Sequence, residues 1–102
     1  MSDQMTNIIN EVQAADLAEL FRAFSDPSRL RIISALVNQE MNVGSIADMV
    51  GLTESATSHH LRGLRQMRMV RARKEGRQVF YCLDDEHVKK LYQLGLKHVA
   101  HG

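Results

Sequence analysis

Two short amphipathic segments joined across a single glycine constrain this chain more than anything else in it. In SIADMVGLTESATSHHLRGLRQM, from Ser45 to Met67, the apolar residues Ile46, Met49 and Val50 recur at helical spacing and end at Gly51. Ser45 is the expected N-cap, with Asp48 three residues on in an approximate capping box. Past Gly51, Thr53 is suited to cap a longer helix in which Leu61, Leu64 and Met67 face inward. Two helices and so tight a turn predict a helix-turn-helix. Its second helix should present Ser55, Thr57, Ser58, His59, Arg62 and Arg65 outward. Short hydroxyls let a helix sink into a DNA major groove while arginines reach phosphates; the plainer reading is a solvated polar face.

The charge distribution favours the first reading. The formal net charge is only +1, yet Arg62, Arg65, Arg68, Arg71, Arg73, Lys74 and Arg77 fall in one stretch against a single acid, Glu75. The remainder of the chain is therefore net negative, and an asymmetry of this kind points to a polyanionic partner. Within that stretch Val70 and Ala72 alternate with Arg71 and Arg73, a turn falls at Glu75 and Gly76, and β-prone Val79, Phe80 and Tyr81 follow. This predicts a β-hairpin with Lys74 and Arg77 near its tip, a wing able to touch phosphates beside the recognition helix.

Upstream, Leu17, Leu20, Phe21 and Phe24 mark an amphipathic helix from about Val12 to Phe24, able to pack on the body or on a partner. SDPSRLRIISALVNQE predicts a second helix with Asp26 as N-cap, Pro27 in first place and Leu30, Ile33, Leu36 and Val37 buried. Met41 to Val43 is short enough for a single strand. With 102 residues, 44% hydrophobic and 25% charged, the chain is expected to be one folded domain over residues 1–102. A monomer of this size buries limited surface, which a dimer would relieve. Cys82 is the only cysteine, so an internal disulfide is excluded and a reducing, cytoplasmic setting is expected. Neither a secretory signal nor a membrane-length apolar run is evident.

The last twenty residues or so carry a different chemistry. Asp85 and His87 stand at one end of LDDEHVKKLYQLGLKHVAHG, and His98 and His101 at the other. On a helix the His87 to His98 spacing returns to the same face, and His101 joins it, but the two ends lie roughly 16 Å apart, against metal bonds of about 2 Å. One subunit cannot close such a site. Two copies packed antiparallel near Tyr92 and Gln93 would bring one carboxylate and three imidazoles together twice per dimer. The stripe Val88, Leu91, Tyr92, Gly95 and Val99 is expected to form the seam. A solvated helix end is the bland alternative.

Taken together, SDPSRLRIISAL, SIADMVGLTESATSHHLRGLRQMRMVRARKEGRQVFYCL and the DDEH and KHVAH segments resemble the ArsR/SmtB family of winged-helix repressors along nearly the whole chain. The resemblance implies a mainly α, homodimeric winged helix-turn-helix with a β-hairpin and terminal dimerisation helices. It further implies that the metal-free dimer binds operator DNA and that metal binding releases it. Asp85, His87, His98 and His101 match the subgroup whose zinc-type site lies on the last helices. The cysteine pair of the other known site is missing, since VGSIADM has none. Oxygen and nitrogen donors suit zinc, cobalt or nickel, and the end of the chain one residue after His101 makes an expanded nickel shell harder to build. A relay from the second ring nitrogen of His98 to a backbone carbonyl near Arg68 is expected. Two alternatives stand beside this: a repressor of the same fold gated otherwise, for example by Cys82 oxidation, and a small metal-dependent hydrolase or metal store. The chain lacks a His-Glu-x-x-His helix, and four protein ligands leave no position for substrate water, so an enzyme is not expected.

Overall fold

The computed structural model of the chain describes residues 7–101; residues 1–6, where a secretory signal would begin, and Gly102 lie outside them. Eight elements follow in order: α1 (Glu11–Ala23), α2 (Pro27–Leu36), β1 (Met41–Asn42), α3 (Val43–Val50), α4 (Glu54–Gln66), β2 (Val70–Glu75), β3 (Gln78–Leu83) and α5 (Glu86–His101). The strands form an antiparallel sheet in the order β1-β3-β2. This is a winged helix-turn-helix, with α3 and α4 as the helix pair and β2–β3 as the wing. Among the described residues no helix is long and apolar enough to cross a membrane.

Helix boundaries follow local capping. Asn10 begins α1 with a reciprocal capping box to Gln13. The N-cap of α3 is Asn42 and not Ser45, because the Asn42 side chain accepts the Ser45 N–H at 2.8 Å and so caps the helix itself. Gly51 ends α3 in the left-handed region at φ 74°, with its own N–H and that of Leu52 both closing on the Ala47 carbonyl. The hairpin turn is Gly76–Arg77, and Gly76 at φ 63° supplies the positive first position of a tight two-residue connection.

One hydrophobic cluster joins these elements, with Ile32, Ile33, Ile46, Leu61, Leu64, Met69 and Val70 almost completely buried. The inward face of α2 differs from expectation: Ile32 takes the place assigned to Leu30 and Val37, which are only half-buried. Likewise Ala47, not Met49, completes the buried face of α3, and Met49 is largely exposed. Helix α1 meets the cluster only near its end, through Leu20, Ala23 and Phe24.

The molecule is elongated, at 56 × 33 × 21 Å with a radius of gyration of 16.0 Å. A compact domain of this length would have about 13 Å. Apolar residues are bare near both ends of the chain: Ile8 ahead of α1 and Val12, Leu17 and Phe21 on it, and Leu94, Leu96 and Val99 on α5. The stripe predicted for α5 is therefore divided. Val88 is buried, Tyr92 packs against the subunit's own core and Leu91 is half-buried, while Gly95 and Val99 are exposed, together with Leu94 and Leu96 outside the stripe.

A methyl group on Gly51 would touch nothing within 4 Å, so its only penalty is the left-handed backbone. Gly51→Ala should lower stability by about 1 kcal/mol and the melting temperature by roughly 4–8 °C, as measured by thermal unfolding with circular dichroism.

Candidate nucleic-acid interface and metal centre

Helix α4 starts where Thr53 Oγ1 accepts the Ala56 N–H at 3.0 Å. Four of its six predicted surface residues, Ser55, His59, Arg62 and Arg65, are exposed, and Ser58 is half-buried. Thr57 is a correction, for it is fully buried and its hydroxyl donates to the Thr53 carbonyl at 2.8 Å. Its place one turn before Leu61 and two before Leu64 puts it on the core face, and the internal hydrogen bond satisfies the hydroxyl there. That stripe was visible in the sequence, but the hydroxyl was assigned by chemistry before position.

The inner side of α4 meets residues that sequence reasoning left out. The guanidinium of Arg29 lies against Gly63 so closely that a Cβ there would meet Nη2 at 3.0 Å. His60 Nδ1 stands 3.5 Å from Asp26 Oδ2. Asp26 occupies the N-cap position of α2, as expected, but its side chain makes no capping hydrogen bond. Helix α4 is thus set against the start of α2 by polar contacts as well as by apolar packing.

At the wing, Lys74 and Arg77 are exposed beside the Gly76 turn, and no carboxylate pairs with either among the described residues. The base of the wing is fixed by backbone hydrogen bonds. Met69 N–H donates to the Leu64 carbonyl at 2.8 Å, and the Met69 carbonyl accepts the Asp84 N–H at 2.9 Å. Just before Met69, Arg68 adopts φ 61°, an uncommon conformation for a residue with a Cβ. The end of α4, the base of the wing and the approach to α5 therefore converge on one residue.

Asp85 has two roles available, one for each carboxylate oxygen. Oδ1 accepts the backbone N–H groups of His87 at 2.9 Å and Val88 at 3.2 Å, which caps α5, while Oδ2 stands 3.4 Å from His87 Nδ1. The Val88 N–H above all, assisted by the imidazole and N–H of His87, holds the Asp85 carboxyl below the usual carboxylate range. The His87 side chain is 93% exposed, so it is open to a further ligand. His98 and His101, one turn apart near the other end of α5, are also exposed. Among the described residues no three His, Cys, Asp or Glu side chains converge within the subunit. The structure brings together Asp85 with His87, but leaves His98 and His101 at the far end of the helix.

Two further contacts orient this region. The Tyr92 hydroxyl donates to Ser34 Oγ at 2.9 Å, tying the middle of α5 to α2. Cys82 is half-buried on β3 beside Arg71, its register partner. No hydrogen bond links the His98 side chain to the Arg68 segment among the described residues, so the relay expected from His98 is not formed within the subunit.

Residues 26–72, from the start of α2 into β2, match the family described as bacterial regulatory protein, arsR family. The transcriptional repressor SmtB homolog of Synechocystis sp. is 51% identical over 81 residues, a match covering 79% of this chain and 61% of that protein. A cadmium resistance transcriptional regulatory protein CadC homolog from Staphylococcus aureus is 39% identical over 84 residues, covering 81% of this chain and 69% of the relative. Among solved structures, the homodimeric winged helix-turn-helix DNA-binding domain Mb0332 from Mycobacterium bovis, a possible ArsR-family transcriptional regulator, has a TM-score of 0.80 at 26% identity. That likeness covers 100% of this chain and 94% of the other. Shared sequence and shared architecture agree: the chain belongs to the ArsR family of bacterial regulatory proteins, a family of regulators and not of enzymes.

Proposed function

We propose that the protein is a homodimeric transcriptional repressor that binds operator DNA when metal-free and releases it when zinc, or a similar divalent ion, binds between its subunits. The observation that carries this reading is the division of α5 into two half-sites, Asp85 with His87 and His98 with His101, on a helix whose Leu94, Leu96 and Val99 are bare. Antiparallel pairing of two such helices would cover the apolar residues and bring each half-site to its counterpart. The Asp85 carboxylate, whose Oδ2 faces His87, and three exposed imidazoles are hard and borderline donors that suit four-coordinate zinc or cobalt. Two relatives, described as a transcriptional repressor and a cadmium resistance regulatory protein, favour the same reading.

On DNA, Ser55, Ser58 and His59 would face base edges in the major groove while Arg62 and Arg65 reach phosphates, with Lys74 and Arg77 of the wing beside them. Thr57 instead secures the first turn of α4 from inside. A bound ion would supply a cross-link between subunits. Any displacement of Asp85 is passed to its neighbour Asp84, whose N–H holds Met69, whose own N–H holds the last turn of α4. The half-site is thereby two backbone hydrogen bonds away from the DNA-facing helix. For release, the ion must favour the DNA-free arrangement, and coupling of this kind is typically about 1–3 kcal/mol, or roughly 5- to 150-fold in affinity.

The central test is a DNA-binding titration of the metal-free protein with zinc, cobalt and nickel, with sedimentation recording the dimer. Release on zinc addition is expected; a monomer, or operator binding indifferent to all three metals, refutes the reading. Because an imidazole must be neutral to ligate, zinc affinity should fall steadily from about pH 7.5 to about pH 5. Equal affinity at both ends would exclude the three histidines.

Asp85→Asn separates the two roles of that side chain. An amide oxygen can still accept the His87 and Val88 N–H groups, so the metal-free protein should remain folded, but zinc affinity should drop at least tenfold, the size seen when a metal site loses a supporting group. The depressed Asp85 pKa means that its stabilisation is present above the ordinary carboxylate range and disappears as pH falls below about 4. Urea midpoints measured across that range should therefore show a shallower acid loss in Asp85→Asn than in the parent.

A further inference from the structure

We propose that Arg73, although it lies in the most basic stretch of the chain, makes no contact with nucleic acid and instead sets the angle of the wing by clasping Glu40. This rests on the DNA-binding reading above and assigns a positioning residue to it.

Every edge of the Arg73 guanidinium is engaged. Nη2 and Nε donate to the two oxygens of Glu40 at 2.8 and 3.3 Å, Nη1 donates to Glu75 at 2.9 Å, and the group lies over the Phe80 ring with Cζ 5.1 Å from its centroid. Phe80 is the register partner of Arg73 across the hairpin, so the stacking holds β2 to β3 while the Glu40 fork reaches off the hairpin to the segment preceding β1. Two carboxylates around one cation leave no net positive charge to offer a phosphate. The hydrogen bonds between them, assisted by the opposed charges, hold Glu40 below the usual carboxylate range and strengthen the proton affinity of Arg73, so both stay ionised at neutral pH.

A second contact runs parallel to the first. Asn42 caps α3 through its Oδ1 and donates from Nδ2 to Gln78 Oε1 at 2.9 Å, at the start of β3. Residues 40 and 42 thus anchor the wing to the first helix of the helix-turn-helix through two side-chain bridges around the short β1 pairing. An isolated two-stranded hairpin has little rigidity of its own, and a planar, bidentate arginine fork is directional where a lysine would not be. Both side chains are about half exposed, so the clasp governs orientation more than global stability.

The sign of one substitution separates positioning from contact. Glu40→Gln removes a negative charge near DNA, so electrostatics alone would strengthen binding; loss of the clasp would weaken it. Affinity for a labelled mixed-sequence duplex, measured over a salt series, should fall by about fivefold in Glu40→Gln and in Arg73→Ala, with the double variant no worse than either single. The salt slope should stay at the parent value in all three, whereas Arg77→Ala should reduce it by about one unit. Without DNA, amide exchange in the hairpin from Val79 to Cys82 should quicken in Glu40→Gln. Unchanged exchange, or Glu40→Gln binding as tightly as the parent or more tightly, overturns the clasp. A parent protein with no salt-sensitive duplex binding overturns the DNA reading instead, and the exchange measurement still decides the clasp.

Discussion

Met69 is the point on which the molecule turns. Its side chain is almost fully buried, its N–H closes the end of α4, and its carbonyl receives the Asp84 N–H. Within the lower dielectric of a packed core such backbone bonds are short and hard to break, since either partner left alone would be a buried, unsatisfied group. Helix α4, the base of the wing and the approach to α5 are consequently joined at one residue. Arg68, in the left-handed region just before this junction, shows that the chain accepts an unfavourable backbone conformation to keep the three elements together.

Helix α5 divides its labour along its length. Its first half belongs to the subunit, with Val88 in the core and Tyr92 bonded to Ser34 on α2. Its second half presents Leu94, Leu96 and Val99 to solvent, as α1 does with Val12 and Phe21. The two terminal helices are what stretch the radius of gyration beyond that of a compact domain of equal length. Their exposed apolar surface is the kind that a monomer does not usually retain, and it lies near the two ends of the chain.

Periodicity made most of the fold legible in advance. The helix pair around Gly51, the hairpin around Gly76 and the capping of α4 by Thr53 follow from local rules that operate within a few residues, and each is found where those rules put it. What local rules miss is competition between neighbours at long range. Asn42 captured the start of α3 from Ser45; Asp26 turned from its own helix towards His60, thirty-four positions away in sequence; and Arg73, indistinguishable in a string from Arg71 or Arg77, found Glu40 across the fold. Thr57 went astray for a different reason, because a hydroxyl was given a solvent-facing role although its spacing from Leu61 and Leu64 assigned it to the interior. The pairing of Asp85 with His87 is local and legible from their separation of two residues, whereas the service of Asp85 as a helix cap competes with it for the same carboxylate.

That cap alters how the four donors of α5 compare. A side chain that must be frozen on binding loses rotational entropy, and His87, His98 and His101 are free enough in solvent to incur that loss. The Asp85 carboxylate has already surrendered its rotamers to the Val88 and His87 amides, and its second oxygen is held beside the His87 imidazole as a by-product of folding. Among the four, it is the one preorganised group, a template laid down by helix formation onto which mobile imidazoles can gather.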